Sequence, residues 1–132
     1  MISNAIGPLE PGATRSARAA IDNAPVDELS RGFLALGNPI RFAILLAVAG
    51  RELCVADLTR LFPVTQGAVS QHLRRLREVG LVTTRRNHKN VYYRQHEESV
   101  ATLLMDGLGA LAAARTTVAA KEPGARPGGN GG

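Results

Sequence analysis

The chain has 132 residues, of which 45% are hydrophobic and only 4% are aromatic, and its formal net charge is +5. This length predicts one folded domain with an aliphatic core. No apolar run approaches the ~20 residues of a membrane-spanning helix, no basic-then-apolar leader begins the chain, and the single cysteine excludes an internal disulfide. We therefore expect a cytoplasmic protein with no membrane partner.

The positive charge is concentrated in one part of the chain. Positions 60–94 contain eight Lys or Arg residues and one Glu, a net charge of +7, so the remaining residues sum to −2. Charge concentrated in this way is typical of a surface that binds a polyanion such as nucleic acid. A solvated basic face explains the same composition, and basicity alone does not separate the two.

The two ends of the chain differ in composition from the middle. Residues 1–24 mix Gly, Pro, Ser, Ala and Asn without sustained periodicity, which predicts a mobile tail. Residues 119–132 end in a Gly- and Pro-rich stretch that offers no apolar surface to bury, which predicts disorder. The predicted folded domain is therefore 25–118.

Caps, glycines and apolar spacing divide this domain into elements. Five helices are predicted, over residues 25–36, 39–49, 55–61, 66–79 and from about 96 onward. Asn38 and Thr65 are the predicted N-caps, and Gly80 follows the fourth helix. Between the last two helices, residues 81–86 and 91–95 are rich in Val, Thr and Tyr, which predicts a β-hairpin. The predicted fold is thus mainly α, a helix-turn-helix followed by a hairpin wing.

The fourth helix carries the residues that indicate function. Val69, Leu73 and Leu76 share one face, which predicts that this face packs inward. Gln and Ser side chains can hydrogen-bond to base edges, and Gly permits close approach. The predicted base contacts are Gln66, Gly67, Ser70 and Gln71. The predicted phosphate contacts, on the helix and the wing, are Thr65, Arg74, Arg75, Arg85, Arg86 and Lys89.

His72 lies nearer the apolar face of this helix than the outer one. A base contact or a catalytic role is one interpretation. We favour a packed, hydrogen-bonded histidine, because half-buried histidines are common.

Several segments together resemble the ArsR/SmtB family of winged-helix repressors. They are 36–41 (LGNPIR), 52–58 (ELCVADL), 65–73 (TQGAVSQHL), 76–77 (LR), 80–82 (GLV) and 91–94 (VYYR). The resemblance covers about residues 27–112. It implies a homodimer joined by the first and last helices, an operator with two half-sites in double-stranded DNA, and an effector that releases the DNA. The dimer contacts implied here are Leu29, Phe33, Val100, Leu104, Leu108 and Leu111.

The metal sites of that family match this sequence poorly. The family's Cys-Val-Cys pair is Cys54-Val55-Ala56 here, so one thiolate is missing, and Cys54 and Asp57 remain as weak candidates. At the positions of the family's last-helix site, only Glu97 supplies a ligand. A tetrahedral zinc site needs three or four ligands. We therefore predict no metal, no cofactor and an unidentified effector.

Three other classes of protein compete with a specific repressor. An enzyme is disfavoured, because phosphate-binding loops and nucleophile motifs are missing from the sequence. A non-specific architectural DNA-binding protein uses the same charge but needs less polar base-reading chemistry. An interaction module would need an acidic partner. A metal- or thiol-responsive repressor acting through Cys54 is a variant of the specific repressor.

Overall fold

A computed structural model describes residues 11–121, with side chains to residue 115. The described elements, in chain order, are α1 (Pro11–Asp22), α2 (Val26–Leu36), α3 (Pro39–Ala47), β1 (Leu53–Cys54), α4 (Val55–Thr59), α5 (Gln66–Glu78), β2 (Val82–Asn87), β3 (Asn90–Gln95) and α6 (Glu97–Lys121). Residues 27–106 form one compact unit, and the described residues outside that range belong to a second unit. No helix in the described range is both long enough and apolar enough to cross a membrane.

The core of the 27–106 unit is aliphatic, as the composition predicts. Its largest fully buried side chains come from α3 and the residue after it, from α4 and α5, and from the approach to β2; they are Ile44, Val48, Leu58, Val69, Leu73, Leu76 and Leu81. Two helix starts have their predicted caps: Asn38 Oδ1 accepts from Ile40 N and Arg41 N, and Thr65 Oγ1 accepts from Ala68 N. These bonds satisfy donors that have no partner within the helix.

The predicted hairpin forms and acquires a third strand. β2 and β3 pair from Val82↔Gln95 to Asn87↔Asn90, so the loop has two residues, His88 and Lys89. β1 pairs antiparallel with β3, which makes a three-stranded sheet in the order β1-β3-β2. Local pattern did not predict β1, because two residues are too few to show a period.

Part of the predicted mobile tail over 1–24 is helical, and its mobility stays a prediction. Residues 11–22 form helix α1, so the described chain has six helices where five were predicted. Its Ala and Arg residues favour helix, and Arg18 and Asp22 make an i,i+4 ion pair with Nη1–Oδ1 of 3.5 Å. Residues 1–10 of the first predicted tail and residues 122–132 of the second lie outside the described residues. The domain limits of 25 and 118 stay predictions.

Candidate nucleic-acid interface

The face of α5 opposite the core is polar and exposed. Val69, Leu73 and Leu76 are fully buried, which fixes the rotation of the helix against the domain. The four predicted base-contacting residues are all exposed, and they are Gln66, Gly67, Ser70 and Gln71. The structure therefore brings them together on the first two turns of α5, with their hydrogen-bonding groups in solvent.

Nothing in the described part of the chain requires glycine at position 67. A Cβ placed there would have Thr65 Oγ1 as its nearest heavy atom, at 3.9 Å. The backbone of Gly67 therefore faces open space beside the polar side chains of α5. Thr65, the N-cap, is itself exposed, and its hydroxyl can still donate while it accepts from Ala68 N.

Basic residues continue this surface along α5 and onto the wing. Arg74 and Arg75 are exposed on the second half of α5, and Arg86 and Lys89 are exposed at the outer end of the β2–β3 hairpin. Within the described part of the chain, none of these four makes an ion pair. Their charges are therefore free to meet a polyanion.

Arg85 differs from the other predicted phosphate contacts. Its guanidinium donates to both carboxylate oxygens of Glu52: Nε lies 3.1 Å from Oε1 and 2.9 Å from Oε2, and Nη2 lies 2.9 Å from Oε1. The hydrogen bond from Arg85 lowers the pKa of Glu52 below its usual value, and the charges of Arg85 and Arg94 lower it further. The same pair raises the pKa of Arg85, so both groups remain charged.

His72 is half-buried and hydrogen-bonded, as expected. Arg41 on α3 donates from Nη1 to His72 Nδ1, 3.3 Å away, and from Nε to the carbonyl of Ala35 at 2.7 Å. Arg41 Nη2 also donates to the carbonyl of Leu34, at 3.4 Å. Burial lowers the pKa of His72, and the charge of Arg41 lowers it further, because both disfavour the imidazolium. Arg41 therefore joins the C-terminal carbonyls of α2 to the side of α5.

The two weak metal candidates are engaged with each other. Asp57 Oδ2 accepts from Cys54 N at 3.1 Å and from Cys54 Sγ at 3.2 Å. The backbone hydrogen bond and then the thiol lower the pKa of Asp57 below its usual value. The contact stabilises the start of α4, as in a capping box. Among the described residues, no group of three or more His, Cys, Asp or Glu side chains forms a metal site.

The predicted dimer residues divide into two groups. Leu29 on α2 and Val100 on α6 are half-buried and pack against the core of their own chain. The other four are exposed, with Phe33 at 39%, Leu104 at 42%, Leu108 at 65% and Leu111 at 70%. The latter three recur along α6 at helical spacing, so they form one apolar stripe on that helix.

Sequence reasoning missed two side chains that organise this interface, Glu52 and Arg41. Each lies inside a segment that carries the family resemblance, at 52–58 and 36–41, but its partner is 33 or 31 residues away along the chain. No local period or cap rule connects residues at such separations.

Comparison with known proteins gives one family. Residues 38–84, from the start of α3 into β2, match the family model described as bacterial regulatory protein, arsR family. Nodulation protein NolR of Rhizobium meliloti is 38% identical over 78 residues, which are 58% of this chain and 64% of that protein. A biofilm growth-associated repressor of Xylella fastidiosa is 33% identical, over 59% of this chain and 68% of that protein.

Similarity extends to solved structures. The crystal structure of NolR from Sinorhizobium fredii has a TM-score of 0.51 and 36% identity, covering 82% of this chain and 95% of that one. The matched stretch spans between 55% and 64% of the lengths of three curated relatives: NolR, an SmtB homolog of Synechocystis and SmtB of Mycobacterium tuberculosis.

Proposed function

This chain belongs to the ArsR family of bacterial regulatory proteins, and from that premise we propose that it is a sequence-specific DNA-binding transcriptional regulator that acts as a repressor. One observation carries the proposal. The first two turns of α5 expose short polar side chains and a glycine, while the opposite face of the helix is fully buried. This arrangement suits a recognition helix, whose N-terminal residues meet base edges in the major groove.

In this proposal, base reading and phosphate binding belong to different residues. Gln66, Gly67, Ser70 and Gln71 contact base edges, because glutamine pairs with adenine through two hydrogen bonds and serine accepts or donates. Thr65 and the basic side chains that make no ion pair within the described residues contact phosphates and fix the register of the protein on the duplex. The basic side chains assigned this role are Arg74, Arg75, Arg86 and Lys89.

The active form in this proposal is a homodimer joined through α2 and α6. The exposed stripe Leu104, Leu108 and Leu111 supports it, because a contiguous apolar helix face in water favours association. Two copies then present two copies of α5 to an operator with half-sites about one helical turn, or ~10 bp, apart.

The dimer has a direct test. Leu104→Asp should convert the dimer to monomer in sedimentation velocity, because it buries an unpaired charge in the interface. Leu46→Asp is the matched control, since Leu46 is 61% exposed on α3, outside the proposed interface. Dimers in the Leu104 variant, or monomers in both variants, would rule out an α6 interface.

The proposal assigns no enzymatic activity and no sensing through the family's metal sites. The engagement of Cys54 with Asp57 supports this, because a soft metal would have to displace those contacts and still find further ligands. Titration of zinc, cadmium and arsenite into the protein–DNA complex tests it. Metal-driven release in the wild type that is lost in Cys54→Ser would overturn this part of the proposal.

Competition between operator and random duplex tests the division of roles. Gln71→Ala should lose on the order of 1–3 kcal/mol of operator binding and little random binding. Arg86→Ala should weaken both alike and reduce the salt slope by about 0.9 per lost phosphate contact. Equal loss on both duplexes in both variants would instead favour a non-specific architectural protein, which binds through the same charges.

A further inference from the structure

The side chain of Arg85 extends from the outer strand β2 over the central strand β3 to meet the side chain of Glu52. Arg85 is on β2, and its guanidinium carbon lies 5.3 Å from the centroid of the Tyr92 ring on β3. Its hydrogen bonds end on Glu52, the residue before β1. In the register, Tyr92 pairs with Arg85 on one side and with Cys54 on the other. These contacts make a continuous path from the outer strand of the wing, over the central strand, to the start of β1.

The sheet itself holds β1 only weakly. β1 has two residues, and its pairing with β3 comprises Leu53↔Tyr93 and Cys54↔Tyr92. It leads directly into α4, the first helix of the helix-turn-helix. A two-stranded hairpin alone is marginally stable in water, so the wing needs further contacts to keep a fixed orientation. The contact of Arg85 with Glu52 supplies one at the point where the wing meets the helices.

The ion pair gives Arg85 a different role from its neighbours. The carboxylate of Glu52 neutralises the guanidinium, whereas Arg86 and Lys89 have no ion pair within the described residues. A phosphate approaching Arg85 would have to displace Glu52 or approach that anion closely. Arg85 therefore adds little to the net positive potential that the wing offers to DNA.

We propose that Arg85 is a positioning residue, which with Glu52 and Tyr92 fixes the wing against β1 and α4, and that it is not one of the phosphate contacts. This inference rests on the proposed DNA-binding function and replaces the phosphate role predicted for Arg85. The phosphate contacts of the wing are then Arg86 and Lys89.

The first arm of the test needs no DNA. A double variant, Glu52→Gln with Arg85→Gln, removes the ion pair and leaves the net charge unchanged. In hydrogen exchange on the free protein, amides of β1 and the hairpin should exchange faster, by up to about fivefold, because a solvent-exposed ion pair contributes only modestly to stability. Arg85→Lys, which keeps the charge and loses the planar fork, should change exchange in the same direction. Unchanged exchange in both variants would overturn the positioning role.

The second arm measures the salt dependence of DNA binding. The double variant should bind more weakly with an unchanged slope of log affinity against log salt, whereas Arg86→Ala should lower that slope by about 0.9. A slope lowered by about 0.9 in the double variant would show that Arg85 contacts a phosphate and would overturn the inference. If the wild type bound no DNA, the proposed function would fail while the exchange arm still decided whether the contact positions the wing.

Discussion

Gly67 offers a substitution whose effects on folding and on binding should have opposite signs. An added methyl group meets no heavy atom closer than Thr65 Oγ1, at 3.9 Å, which is ordinary van der Waals contact. Alanine also has the higher helix propensity, by up to about 1 kcal/mol in a helix interior and less near an end. Gly67→Ala should therefore leave the fold intact and raise the free energy of unfolding by a few tenths to ~1 kcal/mol.

The same methyl group should weaken DNA binding. If the backbone of Gly67 lies against a base, the methyl overpacks that contact, at a cost of about 1–3 kcal/mol, or roughly 5- to 150-fold in affinity. Urea denaturation measures the first effect and operator titration at fixed salt the second. Gly12→Ala in α1 is the control, since a Cβ there meets nothing within 4 Å among the described residues. Unchanged operator affinity in Gly67→Ala would refute the close approach of DNA to the start of α5.

Three further substitutions test other features of the 27–106 unit. Burial and then Arg41 lower the pKa of His72, so the unfolded chain binds more protons than the folded protein below the ordinary pKa of 6.5. The free energy of unfolding in urea should therefore be lower at pH 5.5 than at pH 7.5, and this difference should be smaller in His72→Gln. If wild type and His72→Gln lost the same stability between pH 7.5 and 5.5, the lowered pKa of His72 would be contradicted. His88→Gly should stabilise the protein by up to ~1 kcal/mol in the same assay, because His88 has φ of 60° in the hairpin loop, a conformation that glycine adopts more easily. A loss of stability would show that contacts of the His88 side chain contribute more than the backbone strain costs. Gly32→Ala should destabilise the protein by up to about 2 kcal/mol net, because its Cβ would lie 2.6 Å from Leu103 Cδ1 and this overpacking outweighs the higher helix propensity of alanine. An unchanged midpoint of thermal unfolding would show that the Leu103 side chain moves aside at little cost.

The sequence predicted the elements whose signals are local. Asn38 and Thr65 are caps because a short polar side chain precedes a helical apolar period, and both caps are confirmed. Gly80 has φ of 76°, the left-handed conformation that ends a helix at glycine. The exposure of the polar face of α5 followed from the spacing of the three buried residues opposite it, which a helical wheel is sufficient to show.

Features that depend on tertiary contact were not predictable in this way. The two residues of β1 become a strand only because β3 lies beside them. A phosphate role was predicted for Arg85 from its charge and its place near the hairpin tip. Glu52 was not foreseen as its partner, because the position of Glu52 depends on where β1 meets the sheet. α1 was missed because the Gly, Pro, Ser and Asn content of residues 1–24 indicated a tail, although residues 11–22 carry a helical amphipathic period built mainly from small Ala side chains.

Selection from a library of random duplexes tests the central claim most directly, because the library contains every candidate half-site and the protein itself chooses among them. Wild-type protein should enrich an inverted repeat with half-sites about one helical turn apart. Gln71→Ala should enrich the same repeat with its preference relaxed at one position, symmetrically in each half-site. Recovery of sequences no different from the starting library, with retained duplex binding, would show that the basic surface holds DNA without reading it and would contradict the proposed function.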